Sequence, residues 1–198
     1  MEVKEPAPKY ITKQMMTVEE YLAWEPLQPE KYEYDSGDVV AMSGASLPHN
    51  YIQANLFGEI YAYLKDKPCD VFASDLRVQV KAEETYYYPD ITIVCDEPVL
   101  TGDKIDIINN PTVIIEILSP TTEHRDRNKK KFFYMQMSTL KEYILIDSVS
   151  FAADILRRTE DNKWQNEILI EKESLLQINS IGFAVPLTSV YKKVILTT

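Results

Sequence analysis

The sequence predicts an α/β domain with a mixed β-sheet flanked by helices and accessory hairpins, and three observations predict it. An apolar run at Val113–Leu118, helical spacing over 122–140 and a second apolar run at Glu142–Asp147 read as a strand–helix–strand unit. Strands this apolar suit a parallel pair covered on both faces, joined by a right-handed crossover. Alternating runs separated by turn residues read as hairpins, and Ile52, Leu56, Ile60 and Leu64 form the stripe of a long helix.

In chain order, residues 1–16 are polar, contain prolines and lack periodicity, which predicts a loose arm before a single domain over 17–198. Thr17-Val18-Glu19-Glu20 is a capping box and predicts a short helix to about Trp24, stopped by Pro26 and Pro29. "KYEYDSGDVVAMSG" reads as a hairpin, Tyr32 to Tyr34 and Val39 to Met42, turning at Asp35-Ser36-Gly37-Asp38. Ser46 and Pro48 sit where a cap and a first-turn proline belong, ahead of a helix over 49–64. "CDVFASDLRVQV" is a strand, "YYYPDITIVC" its hairpin partner across 82–85, and 96–111 a loop. "FAADILRR" and "KWQNEILI" form a hairpin about Glu160-Asp161-Asn162, and "LTSVYKKVIL" a closing helix.

The chain has 198 residues, of which 45% are hydrophobic, enough for a real core in one domain. No apolar run approaches the roughly 20 residues that cross a bilayer. The N-terminus carries acids and prolines instead of a basic start and an apolar run, so the expected setting is the cytoplasm, with no membrane partner. Cys69 and Cys95 lack metal spacing and are expected as packed thiols in a reducing compartment. A net charge of −10 counts against nucleic acid as a partner, yet "EHRDRNKKK" places five bases and two acids in one short run, so formal charge leaves that question open.

Three acids interrupt apolar strands: Glu116 in the first strand of the strand–helix–strand unit, Asp90 before Ile91, and Glu33 between Tyr32 and Tyr34. A buried carboxylate without partners is costly, and a hard divalent cation shared by two strands relieves that cost. Plainer readings remain: an Asx-type strand start for Asp90 and a solvated hairpin edge for Glu33. Glu116 has no polar face to retreat to. Asp126, Lys130 and Tyr134 share a helical face near the edge where open α/β sheets bind ligands, so Lys130 lies within reach of Glu116. The alternative for this basic run is a solvated helix face. His49 opens the long helix, either as a polar helix-start residue or as a group reaching a phosphate or metal.

Six segments in order resemble the restriction endonuclease domain family, widespread in bacteria and part of the PD-(D/E)XK nuclease superfamily. They are "KYEYDSGDVVAMSG", "PHNYIQANL", "SDLRVQV", "YYYPDITIVC", "PTVIIEILSPTTEHRDRNKKKFFYMQMSTLKEYILID" and "IGFAVPLTSVY", and the match runs from Thr17 to Tyr191. The resemblance implies a restriction-endonuclease-like core and metal-dependent phosphodiester hydrolysis. It makes Asp90 and Glu116 ligands of Mg²⁺ (or Mn²⁺) and Lys130 the third catalytic residue. The wider superfamily keeps a lysine two residues after the glutamate, where this chain has Leu118; the family variant moves it to a D-x-x-x-K stretch matched by Asp126 to Lys130. Glu33, His49, Asp75 and Asp126 are accessory candidates. The expected activity is a Mg²⁺-dependent DNA endonuclease, as a homodimer so that two sites address two strands. The alternative is a catalytically weak or inactive nucleic-acid or protein-interaction module on the same fold, favoured by the acidic charge and the missing lysine after Glu116. A carboxylate-pair hydrolase acting on sugars explains the acids but not the lysine.

Overall fold

The strand–helix–strand unit lies in the middle of a six-stranded sheet. The computed structural model describes residues 15–42, 44–80 and 84–196, so most of the predicted N-terminal arm and half of the 82–85 link lie outside the described residues. Strands β8 (Val113–Leu118) and β9 (Glu142–Asp147) pair in parallel over their whole length, as the crossover predicts. On the β9 side the hairpin β10 (Ala153–Arg158) and β11 (Trp164–Leu169) adds two antiparallel strands. On the β8 side lie β6 (Ile91–Val94) and then β3 (Asp70–Ala73), both antiparallel.

A second, five-stranded sheet has the order β2-β1-β5-β4-β7. Its strands are β1 (Tyr32–Asp35), β2 (Asp38–Ala41), β4 (Arg77–Val80), β5 (Thr85–Tyr87) and β7 (Ile107–Ile108). The expected long hairpin over 69–95 therefore exists but is shared: β3 and β6 belong to one sheet, β4 and β5 to the other. The break has a local cause in each arm. A turn at 73–76, closed by Leu76 N–H to the Ala73 carbonyl, interrupts one arm, and Pro89, which has no N–H for a ladder, interrupts the other.

Helix α2 (Leu47–Leu64), capped by Ser46, buries Ile52, Leu56, Ile60 and Leu64 on one face of the six-stranded sheet, against Val113, Ile115 and Ile117 of β8. The opposite face carries Ile114 and Leu118, and packs under Phe133, Tyr134 and the residues of β4 and β5. Helix α1 (Val18–Trp24), with the predicted capping box, covers the outer side of the second sheet through Tyr21, which stacks on Tyr34 with ring centres 5.0 Å apart.

Three expectations are corrected. Cys69 and Cys95 form a disulfide and are not packed thiols; the register Asp70↔Val94 extends to set them opposite each other, and direct cross-strand neighbours are the pairs whose side chains meet. The 96–111 loop contains β7. The closing helix is only α5 (Leu187–Val190), and the segment before it is a hairpin, β12 (Leu175–Ile178) and β13 (Phe183–Pro186), with Gly182 at φ +65° in its link. Among the described residues no helix is long and apolar enough to cross a membrane.

Candidate active site

Side chains alternate along a strand, so Glu116 faces the same way as Ile114 and Leu118, away from α2. Extending the β6–β8 register by one residue beyond Ile91↔Ile115 sets Asp90 opposite Glu116. The two are joined directly: Asp90 N–H donates to Glu116 Oε2 at 3.3 Å. The break at Pro89 ends the ladder there and leaves the Asp90 side chain at the sheet's edge.

The helical segment after β8 closes over this edge. It consists of α3 (Glu123–Arg125), a π-turn over Asp126–Lys130 and α4 (Lys131–Tyr134), shorter than the predicted helix. Single wide turns of this kind recur at functional sites. Here the Asp126 carbonyl, which accepts the Lys131 N–H within the turn, also accepts a hydrogen bond from Tyr143 at 3.0 Å. The turn brings Lys130 Nζ to 3.1 Å from Glu116 Oε1, 3.4 Å from Asp126 Oδ1 and 2.9 Å from Glu33 Oε1. Tyr134, one turn on, donates to Glu116 Oε1 at 3.3 Å. Leu118 is buried in the core, so the lysine that reaches Glu116 is the one on the helix.

From the second sheet, β1 reads Tyr-Glu-Tyr-Asp. Its tyrosines turn to α1 and its acids turn to the helical segment. Glu33 accepts from Lys130 and from the Tyr88 N–H (3.1 Å) through Oε1, and pairs with Arg125 through Oε2. Asp35 pairs with Lys129 at 2.8 Å. From the other side, His49 in the first turn of α2 places Nε2 3.1 Å from Asp90 Oδ2, and Ile117 N–H donates to the same oxygen at 2.7 Å. Gln53, one turn later, donates to the Asp90 carbonyl at 2.9 Å. A cavity of about 400 Å³, lined among others by Glu33, His49, Asp90, Glu116, Asp126 and Lys130, opens onto this cluster.

The structure thus gathers Asp90, Glu116, Lys130, Glu33, His49 and Asp126. Asp75 is the exception: its side chain is 89% exposed, outside the cavity lining, and is paired with Lys31. Sequence reasoning missed Arg125, Gln53 and Tyr88. Gln53 had a signal, since it lies one turn after His49 on the same helix face. Tyr88 acts through its backbone, which leaves no trace in residue type. The basic run is not an open cationic patch: Arg125, Arg127, Lys129 and Lys130, four of its five bases, form ion pairs with carboxylates, Lys130 buried and Lys129 exposed.

The charges explain one another. Burial raises the Glu116 carboxyl well above its usual range; Lys130 opposes this, while Asp126, Asp90 and Glu33 add to it. Burial likewise raises Asp126. Burial also pushes Glu33 upward, but Arg125 and Lys130 outweigh it and leave Glu33 below the usual carboxylate range. Lys130 is fully buried, yet Glu116, Glu33 and Asp126 hold it protonated. When all are ionised, five carboxylates (Glu33, Asp35, Asp90, Glu116, Asp126) face three cations (Arg125, Lys129, Lys130). In that state the carboxylates outnumber the cations, an excess that a divalent cation would relieve. Among the described residues no three His, Cys, Asp or Glu side chains form a ready-made metal cage. Lys130 occupies the centre where Glu33, Glu116 and Asp126 would meet, which leaves Asp90 and Glu116 as the fitting donor pair. Two carboxylates completed by waters suit Mg²⁺, which keeps several waters.

A family model described as "Uma2: Putative restriction endonuclease" matches residues 18–188. Two uncharacterized proteins of Synechocystis sp. are similar: one is 32% identical over 153 residues (77% of this chain, 86% of the relative), the other 31% over 177 residues (89% and 92%). A crystal structure from Anabaena variabilis, titled as a "putative nuclease belonging to DUF820", superposes with a TM-score of 0.76 at 20% identity, covering 91% of this chain and 99% of that one. At that identity the likeness establishes the restriction-endonuclease-like fold.

Proposed function

This chain belongs to the Uma2 family, and from that membership and the site geometry we propose that it is a metal-dependent endonuclease hydrolysing phosphodiester bonds in DNA. The observation that carries the reading is the meeting of Asp90 and Glu116 on paired strands with Lys130 3.1 Å from Glu116. The carboxylates of Asp90 and Glu116 are the pair to hold Mg²⁺ or Mn²⁺, which when bound supplies a Lewis acid for the phosphate and a more acidic water.

The chain's own residues do the rest. His49 and the Ile117 N–H fix the Asp90 carboxylate, and Gln53 fixes its backbone. Tyr134 and the Asp90 N–H, bound to opposite oxygens of Glu116, set that carboxylate's plane. Lys130 presents a positive charge at the cavity wall, where negative charge builds on a phosphate in in-line displacement. Two such sites in a homodimer would address the two strands of a duplex.

The test is incubation of purified protein with supercoiled plasmid and Mg²⁺ or Mn²⁺. Nicked or linear product is expected, and its loss with EDTA and in Glu116→Gln. No product, or product unchanged in Glu116→Gln, overturns the reading.

A further inference from the structure

We propose that Lys130 is a resident cation that competes with the divalent ion for Glu116, and that Glu33 is the positioning residue that stations it there. This inference rests on the metal-dependent reading above. Lys130 is buried, and its Nζ lies within ion-pair distance of Glu33, Glu116 and Asp126 at 2.9, 3.1 and 3.4 Å. Three carboxylates around one buried ammonium make up the arrangement that a bound cation would otherwise create.

Glu33 is built to hold the lysine and not a metal. Its Oε1 already accepts from Lys130 and the Tyr88 N–H, and its Oε2 pairs with Arg125. Arg125 further braces the group by lying over the Tyr87 ring, 5.2 Å from its centre. Glu116 differs: Lys130 at 3.1 Å and Tyr134 at 3.3 Å share Oε1, while Oε2 accepts the Asp90 N–H at 3.3 Å. A cation that joins Asp90 and Glu116 therefore shares Glu116 with the lysine and drives it toward Glu33 and Asp126. The lysine keeps the carboxylates of the metal-free site from being forced apart by their own repulsion, at the expense of affinity for the metal.

Calcium tests this without turnover, by isothermal titration of the full chain. Removal of a competing ligand changes affinity by the roughly 5–150-fold typical of coupled sites, so Lys130→Met is expected to bind Ca²⁺ about tenfold more tightly than wild type. Should Lys130→Met fail to fold, Lys130→Gln, which keeps a donor without the charge, is scored the same way. Glu33→Gln is expected to lower affinity by less than about tenfold, because the lysine then rests wholly on Glu116 and Asp126, whereas Glu116→Gln abolishes binding. Unchanged or weaker binding when Lys130 is neutralised overturns the proposal alone, as does a loss in Glu33→Gln equal to that in Glu116→Gln. No binding by wild type or either Lys130 variant overturns both the proposal and the metal-dependent reading; binding by the Lys130 variants alone supports the competition in its strongest form.

Discussion

At the residue scale, Glu33 shows how much of a site a short motif conceals. In the sequence it is an acid between two tyrosines; in the fold it is the counter-charge that lets Arg125 and Lys130 be buried. Neutralising one partner of a buried ion pair leaves the other uncompensated, so Glu33→Gln is expected to lose about 3 kcal/mol of stability at neutral pH, read from urea unfolding. The pH dependence follows from the downward shift of Glu33. Its contribution is full above the unfolded carboxylate value of about 4.3 and is lost as pH falls through the lowered folded value. The wild-type advantage over Glu33→Gln should therefore hold at neutral pH and shrink on acidification; an advantage that grows as the pH falls contradicts the assignment. Glu116, by contrast, was legible from the start, because an aliphatic strand offers a carboxylate nowhere polar to go.

At the scale of elements, the parallel β8–β9 pair, α2 with its cap and the hairpins at 32–41 and 153–169 follow from periodicity and turn chemistry. What periodicity could not convey is which sheet a strand joins. The 69–95 hairpin has ordinary alternation throughout, yet two short interruptions divide it between sheets. The disulfide was hidden for the same reason: its two cysteines are 26 residues apart and become neighbours only through the β3–β6 register. Closing a loop of that length is expected to contribute about 3 kcal/mol. Reduction with dithiothreitol, or Cys69→Ser with Cys95→Ser, should lower the melting temperature by several degrees while leaving the fold's circular dichroism unchanged. A melting temperature insensitive to both would show that the cysteines are not bonded in solution.

At the scale of the whole molecule, the net charge of −10 and the ion-paired basic run bear on how a polyanion would be met. With most of that run's cations already paired, few counterions would be released on contact with duplex DNA. Fluorescence anisotropy with a labelled duplex should show weak binding in EDTA with a shallow salt slope, strengthened by Ca²⁺; tight, steeply salt-dependent binding in EDTA would contradict this. The crease in the 69–95 hairpin has a mechanical meaning as well. Glu33 rides on one sheet and Asp90 with Glu116 on the other, while the same hairpin runs through both. The position of Glu33 relative to Asp90 and Glu116 is thus set by one continuous hairpin. A change at the Pro89 corner is therefore expected to be felt at Glu33 and at Asp90 and Glu116 together.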